Sequence, residues 1–322
     1  MDRVQILDMI NANRQYIKLR SNIAVQNLAM LHKSFGHIED EECILALALN
    51  DSEAAMLFNS DYARGIAICE DMIARYSHTP YPRLLAALRS LAGRCYTFMM
   101  RYDAALEQLR AAEQIAFGEE DEPDAELLGL RVEILQNLAM RSYYSDGDDE
   151  QTLAYLHRAL ELLPEGVQVN RRGVSLMGMA NVFGRRGDLA AALEHHRQAL
   201  ALFEEVDNRC NIATVLCNMG SCYGRMGDFE RAQDCLDRAL DMRTRLGTYW
   251  EISNTYYNLG KLYQARGEHP RAYDTMIIAR DYALVSQHRG LQALILDELN
   301  SMTSGLGDKG LHQASINADI AA

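Results

Sequence analysis

A Gly-acid pair returns every forty residues in the second half of the chain, as Gly187-Asp188, Gly227-Asp228, Gly267-Glu268 and Gly307-Asp308. Seven positions before each of the first three stands a small residue, Ala180, Gly220 or Gly260. An aromatic follows three later, at Phe183, Tyr223 or Tyr263, and alanines come after each pair: Ala192 and Ala199, Ala232 and Ala239, Ala272 and Ala279. Spacings of three, four and seven place such residues on one face of a helix. Two antiparallel helices approach closely only where glycine or alanine faces the partner, and an aromatic fills the widening gap beside the contact. The glycine is expected to end the first helix in the left-handed conformation, and the acid to start the second by accepting orphan amide hydrogens. Helical hairpins are therefore predicted, and no segment shows the two-residue alternation of a strand.

These residues resemble the tetratricopeptide repeat (TPR), most clearly over 173–286. The usual TPR period is about 34 residues, so forty implies longer helices or turns. LAGRCYTFMMRYDAALEQLRAA (91–112) fits with Gly93, Tyr96, Ala105 and Ala112. QNLAMRSYYSDGDDEQTLAYLHRAL (136–160) fits with one extra residue before its turn, and with Thr152 or Leu153 where alanine is expected. The acidic GEEDEPDAE (118–126) accounts for the longer spacing between those units and reads as a solvated loop.

The resemblance implies an all-α TPR solenoid, a right-handed superhelix of about five to seven repeats with degenerate ends. Residues 1–80 read as diverged N-terminal hairpins or a cap. Residues 81–290 read as the array, with units near 84–116, 131–164, 173–204, 213–246 and 253–286, and 291–322 as a C-terminal capping helix and tail. At the N-terminus, QNLAM recurs at 26–30 and Gly36-His37 stands where a turn would fall before CILALAL (43–49), which predicts a hairpin over about 14–50. SDYARGIAICEDMIARY (60–76) reads as a second helix capped by Asp61, and LQALILDELNSM (291–302) as a further first helix. After Gly307-Asp308 the chain has little to pack, and reads either as a fraying cap or as the edge of a longer protein.

A length of 322 residues exceeds one ordinary core, consistent with an elongated array. The net charge of −13 argues against nucleic acid and anionic membranes as partners, because neither contact would release counterions. The first twenty residues lack a signal-peptide profile, being interrupted by Asp8, Asn11 and Arg14, and no apolar run approaches the roughly 20 residues of a membrane span. Seven cysteines without a CxxC pair are expected to be buried free thiols, which fits a cytoplasmic protein.

Motifs for catalysis are missing: the sequence has no GxxxxGK[ST], HExxH or GxSxG. His195 and His196 are adjacent on a predicted helix and point about 100° apart, which disfavours a shared metal. Cys210 and Cys217 read as core, and SDGDDE (145–150) as a turn and cap rather than a calcium loop. The chain is expected to be no enzyme and to hold no metal or cofactor.

Binding residues follow from the resemblance, which implies that first helices line a concave groove where partners lie. At the forty-residue stride the presumed lining holds Arg141, Asn181, Ser221 and Lys261 in one row and Arg185 and Arg225 in another. A third holds Asn218 and Asn258, with Asn254 and Tyr257 beside them. Asparagine offers a donor and an acceptor to a peptide backbone, and arginine grips carboxylates at two points. The expected partner is a protein or peptide with an acidic segment or a C-terminal carboxylate. The competing reading is local: Arg185 and Arg225 both precede the Gly-acid turn and would satisfy helix C-terminal carbonyls. The lysine-rich carboxylate clamp of chaperone-binding TPR proteins is not reproduced. Forty-residue units joined by segments such as EEVDNRCNIA and TRLGTYWEIS resemble bacterial signalling proteins. That implies a sensory or scaffolding module, of the sort that precedes a diguanylate cyclase or kinase output domain. The alternative is a peptide-responsive transcriptional regulator, for which the first 35 residues show no convincing DNA-binding helix pair.

Overall fold

Gly187, Gly227 and Gly267 take φ values of +87°, +81° and +78°, the left-handed region that glycine enters without a Cβ penalty. In each turn the amide of the following acid donates back to the aromatic's carbonyl: Asp188 to Phe183 at 3.0 Å, Asp228 to Tyr223 and Glu268 to Tyr263 at 2.9 Å. Asp188 and Asp228 then cap the next helix, accepting from the amides of Ala191 at 3.0 Å and Arg231 at 3.2 Å. Glu268 departs from this and pairs with Arg266 and Arg271 at 2.7 and 3.1 Å.

This computed structural model describes residues 2–18, 22–118, 123–145, 147–164, 166–246, 249–286 and 289–305. Among them are fifteen helices and no strand. The first four are α1 (Arg3–Lys18), α2 (Asn22–Phe35), α3 (Glu41–Asn59) and α4 (Tyr62–Arg75). Then come α5 (Pro82–Phe98), α6 (Tyr102–Gly118), α7 (Ala125–Ser145), α8 (Asp149–Glu161), α9 (Val169–Arg186) and α10 (Leu189–Glu205). The last are α11 (Arg209–Arg225), α12 (Phe229–Leu246), α13 (Tyr249–Ala265), α14 (His269–Ser286) and α15 (Arg289–Gly305). Two compact units result: unit 1 is Met1–Val182 with Ala201–Asn208, and unit 2 is Phe183–Leu200 with Arg209–Ala322. None of the described helices is long and apolar enough to cross a membrane.

Hairpins close where the sequence places small residues. A Cβ on Gly220 would lie 2.7 Å from Leu236 Cγ and 3.2 Å from the Ala232 carbonyl oxygen, and one on Gly93 would lie 2.6 Å from Leu109 Cγ. Ala105, Ala112, Ala232, Ala239, Ala272 and Ala279 are all fully buried. Each buried tyrosine beside these contacts carries a guanidinium over its ring: Arg101 on Tyr96 at 4.6 Å, Arg231 on Tyr223 at 4.8 Å, Arg271 on Tyr263 at 3.9 Å. The core of unit 1 runs through Leu45, Leu49, Ile66, Leu88, Leu91, Leu109, Leu127 and Ile134. All seven cysteines are buried and unbridged.

Two departures from expectation have physical causes. The α5–α6 turn has the same wiring, with the Arg101 amide donating to Tyr96 at 2.9 Å, yet its left-handed residue is Met100 at φ +61°. Downstream glycine was therefore a sufficient signal but not a necessary one. At the N-terminus, CILALAL lies in a first helix, not in the second helix of a hairpin over 14–50: α3 packs on α1, α4 and α5. Enclosed on several sides, α3 is buried at Cys43, at 45–50 and at 52–56, which erases the one-sided pattern that identifies a hairpin helix. Asp61 caps α4 as expected, accepting from the Arg64 amide at 3.0 Å. The SDGDDE turn is likewise a cap, with Asp148 accepting from the Gln151 amide at 2.9 Å. Gly307-Asp308 and the tail lie outside the described residues.

Candidate functional site

Asn218, Ser221 and Arg225 follow one face of α11, and Asn254, Tyr257, Asn258 and Lys261 follow one face of α13, because spacings of three and four stack side chains along a helix. All seven belong to unit 2. Arg225 and Lys261 are exposed, and the other five are half-buried.

Much of this face holds neighbouring first helices together. Asn258 Nδ2 donates to the Asn254 carbonyl at 2.9 Å and to Cys217 Sγ at 3.4 Å, and Asn254 Nδ2 approaches the same sulfur at 3.9 Å. Cys217 is fully buried on α11, so two amides stitch α13 to α11 through one thiol. Arg225 Nη1 donates to the Gly184 carbonyl in the last turn of α9 at 2.5 Å. Lys261 Nζ meets Glu298 Oε1 of α15 at 2.9 Å. Burial, and after it the negative charge of Glu298, raises the Tyr257 hydroxyl above its ordinary pKa.

The expected site residues thus sort by contact. Arg225 satisfies a helix C-terminal carbonyl, as the local reading anticipated, but on the preceding first helix rather than its own. Lys261 is neutralised by Glu298, a residue that the stride does not reach. Arg141 corrects the expectation of exposure: it is 8% exposed on α7 and its Nε donates to the Tyr102 carbonyl at the start of α6. A long side chain can cross to a neighbouring helix and bury its stem, so stride alone does not fix exposure. Asn181 is half-buried and Arg185 exposed, both on α9. Ser221 and Tyr257 have no such tie and supply a hydroxyl and an aromatic body on adjacent first helices.

Nothing in this arrangement pairs a nucleophile with a base. Among the described residues no group of three His, Cys, Asp or Glu side chains is placed to hold a metal ion. His195 stacks on Phe183 with ring centroids 5.2 Å apart, and His196 is buried, its pKa lowered to about 4 by burial and then by the charge of His195.

One charged row escaped the sequence reading. Glu53 on α3, Arg94 on α5, Glu133 on α7 and Arg171 on α9 recur at close to the repeat stride and alternate in sign. The stride itself could have revealed them, had it been followed into unit 1, where the spacing varies by one or two residues.

Comparison with known proteins matches part of the chain to a repeat family and nearly all of it to a fold. Models described as Tetratricopeptide repeat match residues 173–206 and 211–276. No curated protein sequence matches the chain. Among solved structures, NprR in complex with its cognate peptide NprX shares the fold with a TM-score of 0.66, at 15% identity over 98% of this chain and 89% of that one. A Rap protein complexed with Competence and Sporulation Factor gives 0.57, at 12% identity over 94% and 99%. The Rap conjugation gene regulator of plasmid pLS20, in complex with the Phr* peptide, gives 0.55, at 16% identity over 96% and 83%. At these identities the likeness is one of fold. Residues 173–206 and 211–276 are thus matched as tetratricopeptide repeats, and the fold shared along nearly the whole length is one of stacked α-helical hairpins.

Proposed function

We propose that the chain acts by binding rather than by chemistry, as a cytoplasmic regulatory module that takes an extended peptide across the first helices α11 and α13 of unit 2. The carrying observation is the half-buried face made by Asn218, Ser221, Tyr257 and the paired Asn254 and Asn258, five positions that are neither core nor free surface. The reading is supported by fold-level likeness to structures solved with peptides, NprR with NprX and Rap with the Phr* peptide. Arg225 and Lys261 are engaged within the protein, so the face recognises backbone and aromatic or hydroxyl groups first. Any acidic group on the peptide would have to compete with Glu298 for Lys261. In a signalling setting, occupancy of this face would be passed to an output domain or partner.

Selection of peptides from a randomised pool on the purified chain tests the reading. Binders with Kd below about 100 μM are expected. Tyr257→Ala combined with Ser221→Arg should weaken them at least about tenfold without moving the melting temperature. A pool that yields no binder, or binders indifferent to the double substitution, would remove α11 and α13 as the site.

A further inference from the structure

We propose that the first-helix face of unit 1, where Arg14, Lys18, Arg94 and Arg171 converge on Glu53 and Glu133, binds an oxyanion of the carboxylate or phosphate class. The proposal concerns a different face from the peptide reading and does not rest on it.

Helix α1 lies along α3 in the same direction. Arg3 pairs with Asp40, Asn50 Nδ2 donates to the Ile10 carbonyl at 2.9 Å, and Arg14 Nε meets Glu53 Oε2 at 2.9 Å. One turn further, Lys18 Nζ reaches Glu133 Oε2 on α7 at 3.2 Å. Arg171 Nη1 comes to the same carboxylate at 3.1 Å, and Arg94 Nη2 lies 3.7 Å from Glu53 Oε1. Four cations therefore share two carboxylates, an excess of two positive charges on a chain of net charge −13. The exposed Glu126 adds a weaker field at Arg14.

The layering suits an incoming anion. The Glu53 and Glu133 side chains are 1% and 11% exposed, whereas the four cations keep between 20% and 28%. The acids lie beneath, and the basic side chains above them keep partial exposure. Gly129, one turn before Glu133, leaves space for the Arg171 guanidinium against α7: a Cβ there would sit 3.1 Å from Arg171 Nη2.

Hydrogen-bonding capacity in the cluster is also unspent. Arg94 Nε and Nη2 are buried and have no hydrogen-bond partner in the protein. Asn13, 2% exposed and next to Arg14 on α1, has its Nδ2 donor unpartnered as well. Buried donors of this kind are costly unless satisfied, and an oxyanion accepts several at once. Burial, and after it the Arg14 charge, lower the Lys18 pKa against the opposing pull of Glu133 and Glu53.

Isothermal titration of the full chain tests this with three probes, inorganic phosphate, citrate and triglutamate, at ionic strength held constant with chloride. Saturable binding of at least one probe is expected, with Arg94→Gln weakening it at least tenfold. Circular dichroism checks that the variant folds, and Arg171→Gln serves as the second variant if it does not. Binding of phosphate or citrate identifies a free anion as the occupant, whereas binding of triglutamate alone identifies an acidic group carried on a chain. Absence of saturable binding by all three probes overturns the proposal. So does binding that is unchanged in both Arg94→Gln and Arg171→Gln.

Discussion

Arg225 donates from Nη1 to the main-chain oxygen of Gly184, a residue 41 positions earlier, at 2.5 Å. One repeat therefore caps a C-terminal carbonyl of the one before it. The same contact decides what a substitution at Arg225 measures. Arg225→Ala is expected to lower stability by about 1 kcal/mol, the scale of one partly solvated charge-assisted hydrogen bond. Lysine, with a point charge and different reach, should recover only part of this. Urea unfolding of the three proteins checks it, and a midpoint unchanged in Arg225→Ala would show that the bond is not made in solution.

The tight helix contacts rank two glycines. At Gly220 an added Cβ meets Leu236 Cγ at 2.7 Å and the Ala232 backbone oxygen at 3.2 Å, whereas at Gly260 it meets the flexible Met276 side chain, Cε first at 2.9 Å. Gly220→Ala should therefore destabilise by about 1–3 kcal/mol, and Gly260→Ala by less, because a methionine can move aside. Equal thermal midpoints for the two variants would contradict the ranking.

Met100 offers the opposite sign. It holds φ +61° in the α5–α6 turn while the residue is 54% exposed, so little packing is lost on truncation. Left-handed backbone costs an ordinary residue about 1–2 kcal/mol. Glycine gives some of this back through greater unfolded-chain entropy. Met100→Gly is expected to raise the melting temperature, and Met100→Val to lower it.

His196 sets an acid limit. Its pKa is lowered from 6.5 to about 4, first by burial and then by His195, so the folded state refuses a proton that the unfolded state accepts. The stabilisation is complete above pH 6.5, declines as pH falls through the window to 4, and is gone below it. A shift of this size corresponds to about 3 kcal/mol. In His196→Gln the slope of stability between pH 6.5 and 4 should fall by about one proton. Denaturant titrations at several pH values read that slope directly, and parallel curves for the two proteins would exclude His196 as its source.

Glu53 is the keystone of the charge cluster in unit 1. Burial alone would raise its pKa, but Arg14, Lys18 and Arg94 outweigh burial and lower it. Glu53→Gln leaves those cations without their shared carboxylate and is expected to destabilise by about 2–4 kcal/mol, short of the largest buried-pair losses because the cations keep some water. Chemical denaturation with an unchanged midpoint would mean that the ion pairs contribute nothing net.

Hairpin positions were legible in the sequence because each follows from a local requirement. A left-handed turn wants glycine, a helix start wants an acid, and a close helix crossing wants Gly220 or Ala232. These needs repeat every forty residues and stay visible whatever surrounds them. Burial of α3 was not legible, since its even apolar coating reports neighbours on several sides and those neighbours come from distant chain. Site side chains fared similarly. Stride placed Asn258, Arg225 and Lys261 on first-helix faces, but only the folded molecule decided that Asn258 would meet Cys217, Arg225 the Gly184 carbonyl, and Lys261 the carboxylate of Glu298. Long polar side chains choose partners within several ångströms of their backbone, from whichever helix arrives there. The repeat determines the backbone; the identity of the arriving group, and with it the charge left over for a ligand, is set by packing between repeats.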